Sequence, residues 1–414
     1  MTLSPPVAPS RPAREYRMKP RELLTLLSAI MALMALGIDL MLPAFDDIRE
    51  AFDLGEGSPE TGKVITVFFL GLAFAQVVWG PVADRFGRKP VLYISIGIYL
   101  VGAIGSALAP SFTLLLVSRF VWGLGAAGSR VVSTAIIRDR FEGLAMAKAM
   151  SQIMAVFMLV PVLAPSVGTG IIAVFPWRFV FWFCAVWGVL IALWSLRLRE
   201  SLAVEDQRPL SFGESWTGYA EVARTRVTAG YTMASIFLQG VFTTYLASSE
   251  LIISEVFDRE AQFPIIFGLI AVLFAGGALV NGRVVARFGV HGLISKVYFI
   301  TVGLTIISVI VSVMADGHPS FWIYIPLLGL TLSSFMFLMP NLNTAALDPV
   351  GHIAGTASAF GGAARMGGGA VLGTIVSAQV SDSTTPFAIG VAILCTLSWV
   401  SVLVVRRRSP GLSL

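Results

Sequence analysis

Long apolar segments, separated by short polar ones, fill almost the whole chain. Twelve of these segments come close to or exceed the roughly 20 residues that an α-helix needs to cross a bilayer. They are too long for the strands of a membrane barrel and lack period-two alternation, so we predict transmembrane helices. The predicted spans are 23–45, 61–81, 90–109, 112–137, 145–172, 177–197, 227–249, 263–282, 292–315, 320–344, 353–378 and 386–405.

The longest polar interval, residues 198–226, divides the twelve segments into six and six. This division predicts an all-α membrane protein in which a central loop joins two six-helix bundles. The expected units are an N-terminal tail at 1–22, a first bundle at 23–197, the central loop at 198–226, a second bundle at 227–405 and a C-terminal tail at 406–414.

Part of the central loop has the spacing of an amphipathic helix. Trp216, Tyr219, Ala220 and Ala223 recur at helical intervals, after a capping-box pattern that begins at Ser211. We expect a short helix on the inner membrane surface. A flexible linker is the alternative interpretation.

The two predicted bundles share a short internal repeat. The run Gly-Pro-Val-Ala-Asp-Arg-Phe-Gly at 80–87 returns as Gly-Arg-Val-Val-Ala-Arg-Phe-Gly at 282–289, an offset of 202 residues. Parallel repeats with a binding site at their interface are a recurrent plan among transporters. We therefore predict that the two bundles are related by a parallel pseudo-repeat.

The composition agrees with placement in a membrane, because only 13% of the residues are charged, whereas soluble domains carry about 25%. With the N-terminus placed inside, 22 of the 29 lysines and arginines fall in inside segments and four in outside loops. This bias predicts that both termini are cytoplasmic. The net charge of +5 therefore reflects membrane topology and does not indicate nucleic-acid binding.

Several function classes lack their sequence signatures. The chain contains no P-loop, Rossmann fingerprint or nucleophile elbow. Its two cysteines, Cys184 and Cys395, lie in apolar segments, and its three histidines are not clustered. We expect no metal site, no cofactor and no enzymatic activity.

A dense cluster of charges follows the second apolar segment. Its glycines permit close backbone approach and unusual dihedrals, and Asp84 can pair with the neighbouring cations. Because Ala286 replaces Asp84 in the second repeat, we predict that this charge knot latches the halves together at the inner gate. In that role Asp139 bridges to Arg88, and Asp84 meets the start of the eleventh segment near Gly355. The knot consists of Gly80, Asp84, Arg85, Gly87, Arg88, Lys89 and Asp139. A generic positive-inside loop is the alternative.

Two opposite charges lie at similar depth inside the spans, Asp39 in the first and Arg119 in the fourth. An ionisable residue within a span costs about 2.5–3.5 kcal/mol on insertion scales and usually has a partner or a function. We predict that Asp39 and Arg119 pair, or take turns pairing, while a proton is gained and lost. A static structural ion pair is the alternative.

The fifth span is interrupted by helix-bending residues. Pro161, Pro165, Gly168 and Gly170 lie within ten residues of one another. Proline removes a backbone hydrogen bond and bends a helix, and glycine lets the helix press against its partner. An ordinary kinked transmembrane helix is the alternative.

Other polar and aromatic side chains are candidates to line a substrate cavity. They are Arg130, Gln239, Tyr245, Glu250, Phe335, Asn341 and Arg365. Because arginines outnumber acids within the spans, neutral or anionic compounds are favoured over purely cationic ones. Snorkelling of Arg130 and Arg365 is the alternative.

These motifs resemble those of the major facilitator superfamily. Residues 80–89 match its loop pattern G-x-x-x-D-R-x-G-R-K, and residues 119–127 match its motif R-x-x-x-G-x-G-A-A. Residues 161–170 match part of the antiporter motif G-P-x-x-G-G of its exporters. With Asp39-x-x-x-Pro43 and the segment 340–359, the chain is similar to the Bcr/CflA subfamily of twelve-helix drug:proton antiporters.

The resemblance implies a monomeric, multi-pass exporter of the bacterial inner membrane that works by alternating access. It implies efflux of drug-like molecules, with neutral amphenicol-like or bicyclomycin-like compounds favoured, in exchange for protons. The energy source would be the proton gradient, and Arg119 would take part in the coupling. The alternatives are a proton-coupled exporter or symporter of a small metabolite, and a non-transporting membrane receptor or scaffold.

Overall fold

The computed structural model describes residues 18–55, 57–203, 205, 207 and 212–408, and these residues contain helices and no strand. The helices are α1 (Pro20–Asp39), α2 (Phe45–Ala51), α3 (Lys63–Phe86), α4 (Arg88–Leu108), α5 (Phe112–Arg140), α6 (Gly143–Ile172), α7 (Phe179–Trp194), α8 (Phe212–Arg224), α9 (Arg226–Leu251), α10 (Phe263–Met314), α11 (Phe321–Leu347), α12 (Ala354–Ser377) and α13 (Thr384–Arg408). All except α8 belong to apolar stretches long enough to cross a membrane, and α2 is the end of the stretch Pro20–Ala51.

Helix α10 contains two spans joined at a bend. Its 52 residues would extend about 78 Å if straight, more than twice the thickness of a bilayer core. The backbone turns at Gly289, where φ is 67° and ψ is 167°, so residues 263–288 and 290–314 form separate arms. With this bend, the described chain contains the twelve long apolar helices that the sequence predicts.

The sequence repeat is also a repeat of backbone geometry. Gly87, between α3 and α4, has a φ of 93°, and its counterpart Gly289 has a φ of 67°. Glycine reaches this left-handed region without the steric cost that a Cβ brings. The same residue type therefore turns the chain at the equivalent place in each half.

The helices pack into two groups that meet mainly along two pairs of helices. In the first half, α5 packs against both α3 and α4; in the second, α9 packs against α11, α12 and α13. The halves meet where α3 lies against α12 and where α6 lies against α10. We call the face that carries Gly87 and Gly289 the terminal face, because α1 begins and α13 ends there, and the opposite face the distal face.

Glycines bring α3 and α5 into close contact. A Cβ on Gly123 would lie 2.2 Å from the carbonyl oxygen of Phe68, and one on Gly71 would lie 2.2 Å from that of Phe120. Neither position can accept a larger residue without moving a backbone. The small residues after Arg119 are therefore a packing face, as is usual where membrane helices cross closely.

The first span differs from the prediction. Helix α1 ends at Asp39, and a 3₁₀ turn over Leu42–Ala44 leads into α2, whereas the sequence predicted one helix to residue 45. Pro43 explains the break, because it has no N–H for the carbonyl of Asp39 and its ring clashes with that carbonyl. The extra helix carries Arg49, expected in an outside loop, to a buried position.

Residues 212–224 form the helix expected in the central loop, while Ser211 of the capping pattern lies outside the described residues. The helix is docked on the second half. The ring of Tyr219 stacks on that of Phe360 in α12, with centroids 5.6 Å apart. Val222 is buried against Val350 and neighbouring residues. These contacts favour the helix over the flexible linker.

Candidate functional site

Asp39 lies where α1 stops, and another helix passes beside it. Its side chain is buried, and the next residue, Leu40, directs its carbonyl oxygen at α6. A Cβ on Gly168 of α6 would lie 2.1 Å from that oxygen. The Pro/Gly-rich helix predicted from the sequence is therefore in backbone contact with the end of the helix that carries Asp39.

The other residues of that motif have different surroundings. Pro161 and Pro165 lie inside α6, which stays helical over its whole length. A Cβ on Gly170 would meet no atom within 4 Å, so this glycine makes no close contact. The carbonyl of Val162 lies 3.3 Å from the Cβ position of Gly268 on α10. Helix α6 thus contacts the end of α1 in its own half and α10 in the other half.

Asp39 has no ion-pair or hydrogen-bond partner within the described part of the chain. Tyr245 of α9 is near enough for its hydroxyl group to interact electrostatically with the Asp39 carboxylate. That hydroxyl is buried without a hydrogen-bond partner, and the ring stacks on Phe267 with centroids 5.5 Å apart. A carboxyl group from one half and a phenol from the other therefore share an interior region, and both retain unused hydrogen-bonding capacity.

Arg119 is fully buried in an aromatic box. Its guanidinium carbon lies 4.5 Å from the ring centroid of Phe68 and 4.7 Å from that of Trp122. Its Nε donates to the carbonyl of Val64 at 3.4 Å, while its two terminal nitrogens have no partner among the described residues. The described residues contain no ion pair between Arg119 and Asp39. Their pairing therefore stays a prediction, and it applies to another conformation.

The charge knot at the terminal face centres on Arg88. Its Nη1 lies 2.6 Å from Asp84 Oδ1, and its Nε lies 3.0 Å from Asp139 Oδ2. The bridge expected from Asp139 is therefore present. Asp84 makes no hydrogen bond to the start of α12 among the described residues, and Arg85 is exposed. All these charges belong to the first half, so in this conformation the knot does not connect the halves.

Glu200 completes the knot, and no local motif indicated it. Its carboxylate accepts hydrogen bonds from the backbone N–H groups of Arg88 and Lys89, both at 2.9 Å. These groups open α4, where a helix favours a negative charge. Lys89 Nζ in turn donates to the carbonyl of Leu196 at 3.1 Å. The chain that follows α7 therefore holds the α3–α4 turn.

The two glycines of the knot are not equivalent. Gly87 has the positive φ described above, and a Cβ there would lie 2.6 Å from Oε2 of Glu200. A Cβ on Gly80 would meet no atom within 4 Å, and Gly80 lies inside α3 without a positive φ. The expected close approach and unusual dihedral therefore apply to Gly87, and for Gly80 that expectation is wrong.

Glu250 joins the halves at the distal face, where the sequence had suggested a cavity-lining residue. Its Oε1 and Oε2 lie 2.8 and 3.0 Å from Nη2 of Arg49 in α2. Both side chains are almost fully buried, at 4% exposed for Arg49 and 3% for Glu250. Arg49 also contacts Asp46 and donates to Thr61 Oγ1 at 3.3 Å. Residues 201 positions apart form this pair, so no motif within either half predicts it.

Two further contacts close the distal ends of the halves. The hydroxyl oxygens of Thr66 in α3 and Thr374 in α12 lie 2.6 Å apart. A Cβ on Gly62 would lie 3.0 Å from the Cβ of Ala247 in α9. The distal face is therefore sealed here by side-chain and backbone contacts between the halves.

Arg130 of α5 and Arg365 of α12 come from opposite halves and are near enough for their charges to repel. Neither makes an ion pair with a described residue. The polar contact of Arg130 is a weak one, from Nη1 to the sulfur of Met34 at 3.9 Å. Both side chains are partly accessible although their helices lie within the bundle.

The remaining candidates pack against neighbouring helices. Phe335 stacks with Phe242 and Phe274 at centroid distances of 5.1 and 5.6 Å. Asn341 Nδ2 donates to Asn281 Oδ1 at 2.9 Å, which ties α11 to α10. Gln239 lies against Gly369 of α12, where a Cβ would be 2.5 Å from its Cγ. A cavity role for these three side chains stays a prediction.

Comparison with known proteins gives consistent matches over most of the chain. Residues 26–374 match the model of the Major Facilitator Superfamily. An uncharacterized MFS-type transporter, YdgK of Bacillus subtilis, is 29% identical, with 91% of this chain and 93% of the relative covered. The bicyclomycin resistance protein homolog of Haemophilus influenzae is 27% identical, with coverage of 87% and 90%. The multidrug resistance protein MdtL of Escherichia coli is 28% identical, with coverage of 92% and 94%.

Solved structures show the same fold. A D-xylose-proton symporter superposes with a TM-score of 0.74 at 14% identity, covering 92% of this chain and 97% of that one. The human organic anion transporter MFSD10 gives a TM-score of 0.60 at 20% identity, covering 92% and 100%. At these identities the likeness concerns the fold alone. The chain belongs to the major facilitator superfamily, and its motifs and relatives are consistent with a drug antiporter of the Bcr/CflA type.

Proposed function

We propose that this protein expels drug-like molecules from the bacterial cytoplasm in exchange for protons. The observation that carries the proposal is Asp39, a buried carboxyl group that has no counterion among the residues the structure describes. It lies at the helix end that Gly168 of α6 contacts. The relatives named for bicyclomycin and multidrug resistance support an exporter. Neutral amphenicol-like or bicyclomycin-like compounds are the first substrates to test.

The surroundings of Asp39 suit a group that is protonated and deprotonated in turn. A buried carboxylate without a partner is costly, and either a proton or a nearby cation or donor removes that cost. In this conformation no described residue forms an ion pair with Asp39, so its carboxyl group is not committed to a protein cation and can hold a proton. When it ionises, Arg119 on the neighbouring helix, the Tyr245 hydroxyl and the substrate are the candidates to stabilise it. Proton binding and substrate binding then compete, as antiport requires.

The positions of the contacts between the halves support alternating access. The Arg49–Glu250 and Thr66–Thr374 contacts hold the distal ends together, while the Arg88 knot stays within the first half. We assign the distal face to the periplasm and the terminal face, with both termini, to the cytoplasm. This conformation is then closed to the outside. In the opposite conformation the distal contacts break and the knot latches the terminal face, in a protein that works as a monomer.

The test is drug-dependent proton release from everted membrane vesicles. Chloramphenicol, florfenicol and a lipophilic cation are added after an inside-acid gradient has formed. We expect a neutral drug to dissipate the gradient in the wild type and not in Asp39→Asn. Asp382→Asn is the matched control, because Asp382 is an exposed loop residue.

The outcomes separate the alternatives. A full response in Asp39→Asn would remove Asp39 from the coupling mechanism. Drug flux that does not vary with pH would remove proton coupling and leave the fold and the export direction untouched. No response to any compound in either protein would favour a transporter of a narrow range of metabolites.

A further inference from the structure

Two arginines lie at the same depth inside the bundle and on opposite halves. Arg130 is ten residues before the end of α5, and Arg365 is eleven residues after the start of α12. At 1.5 Å per residue, each lies about 15–17 Å from the terminal end of its helix. This depth is close to the middle of a bilayer core about 30 Å thick. Two cations at the midplane, one from each half, occupy the interface at which transporters of this plan bind substrate.

The described residues supply no anion for this pair. Neither guanidinium forms an ion pair with a described residue, and the two repel each other. Asp39, at the far end of α1, is about 28 Å from the terminal start of its helix, so it lies well beyond their depth. Unpaired cations within membrane spans face the bundle interior or a water-filled cavity and mark substrate or ion pathways. The partial accessibility of both side chains agrees with an interior space beside them.

We propose that Arg130 and Arg365 together bind a carboxylate carried by the exported compound. A carboxylate between them offsets both charges, and each planar guanidinium can donate two parallel hydrogen bonds to it. The thioether of Met34 beside Arg130 offers an adaptable apolar contact for the body of such a compound. The substrates therefore include amphiphilic organic anions with a carboxyl group, in addition to the neutral compounds named above. This inference rests on the export function proposed above and specifies its substrate.

The two halves share the site, which connects binding to conformational change. Without an anion, repulsion between Arg130 and Arg365 opposes the approach of α5 and α12. A bound carboxylate turns that repulsion into attraction through a common partner. Anion binding is then expected to favour the conformations in which these two helices are closest.

The experiment compares two compounds that differ by one charged group. Chloramphenicol and its hemisuccinate ester share the aromatic and dichloroacetyl parts, and only the ester carries a carboxylate at neutral pH. Equilibrium binding of each is measured on the full-length protein in nanodiscs. We expect the wild type to bind the hemisuccinate about tenfold more tightly than chloramphenicol or better. Equal affinities in the wild type would overturn the proposal.

The variants assign that preference to the two arginines. Arg365→Gln and Arg130→Gln are each expected to weaken hemisuccinate binding about tenfold or more, and to change chloramphenicol binding less than about twofold. Arg138→Gln is the matched control, because Arg138 is exposed at the end of the same helix as Arg130. Equal partial losses for both compounds, or no loss, would contradict the assignment.

Chloramphenicol binding by the same sample shows that each variant is folded. If a glutamine variant binds neither compound, Arg365→Lys and Arg130→Lys decide the question. A lysine variant that still prefers the hemisuccinate supports the site, and one that binds chloramphenicol without that preference overturns it.

Failure of the export proposal would look different from failure of the anion site. If the export proposal is wrong, vesicles would show no proton-coupled efflux, while binding would still be selective for the charged compound. Coupled export of chloramphenicol by a protein without that selectivity would remove the anion site alone.

Discussion

Single residues determine where the acidic group of this transporter is placed. Pro43, four residues after Asp39, ends α1 at Asp39 and leaves this residue at the junction between α1 and the 3₁₀ turn. Gly168 then lets α6 reach the backbone of Leu40. The sequence identified Asp39 and Gly168 separately from their residue types. The contact between Gly168 and Leu40, the residue after Asp39, was not visible, because it joins segments more than a hundred residues apart.

The contact at Gly168 gives a prediction at this scale. Gly168→Ala introduces a Cβ 2.1 Å from the Leu40 carbonyl oxygen, so α6 or the end of α1 must move. We expect a loss of about 1–3 kcal/mol in stability, the usual cost of overpacking, together with loss of drug-dependent proton release. Thermal unfolding in detergent and the vesicle assay measure the two effects.

Gly170→Ala is the control, because a Cβ at position 170 meets no atom within 4 Å. Replacing a helical glycine with alanine there is expected to stabilise the helix by about 0.5–1 kcal/mol and to preserve transport. If the two variants behaved alike, the close approach of α6 to Leu40 would have no functional importance.

The pair formed by Arg49 and Glu250 gives a second prediction. Glu250→Gln leaves the Arg49 cation buried, and Asp46, 41% exposed, is its remaining acidic partner among the described residues. Breaking a buried pair costs about 3–5 kcal/mol, and this cost falls on the distal-closed conformation. We expect the population to shift toward the distal-open conformation. Distances measured by spin labels across the distal face would report that shift.

Glu60→Gln is the matched control for this pair. Glu60 pairs with Lys63 at 2.6 Å on the same face, but both side chains are more than 40% exposed. Exposed pairs contribute at most about 1 kcal/mol, so the spin-label distances should not change. An unchanged distribution in Glu250→Gln as well would show that the buried pair does not hold the distal face closed.

At the scale of helices, hydropathy was sufficient to predict the number and the approximate positions of the long helices. Each of the twelve predicted spans corresponds to a helix or to one arm of α10. The differences arose at ends that hydropathy does not report, such as the break at Pro43 and the continuation of α3 to Phe86. The turn at Gly87 was indicated by its glycine and charges, but the capping by Glu200 was not, because it comes from 112 residues away.

The turn at Gly87 gives a prediction for this element. Gly87→Ala combines a disfavoured φ of 93° with a Cβ 2.6 Å from the Glu200 carboxylate. We expect a loss of about 1–2 kcal/mol from the left-handed backbone alone, and more from displacement of Glu200. Unfolding temperature in detergent measures the change. Gly80→Ala, with open space around position 80, should leave stability equal or higher, and a similar loss there would contradict this account.

At the scale of the whole molecule, the distal ends of the halves touch through residues that no motif marks. Local patterns predicted the bridge between Arg88 and Asp139, because both ends belong to charge clusters at helix ends. They did not predict the distal contacts. One joins Thr66 to Thr374, and the other joins Arg49 to Glu250, 201 residues later in the chain. Such contacts depend on how the two bundles are positioned, which hydropathy and motif spacing do not encode.

The contact between Thr66 and Thr374 allows the proposed rocking motion to be blocked directly. Their hydroxyl oxygens are 2.6 Å apart, so cysteines at both positions are placed to form a disulfide across the distal face. Because export requires this face to open, oxidation of the Thr66→Cys/Thr374→Cys protein should abolish drug-dependent proton release, and reductant should restore it. The single variants are the controls, since the native Cys184 and Cys395 are buried and free. Full activity of a protein shown to be cross-linked would mean that the distal ends do not separate during transport, and the alternating-access assignment of this face would be wrong.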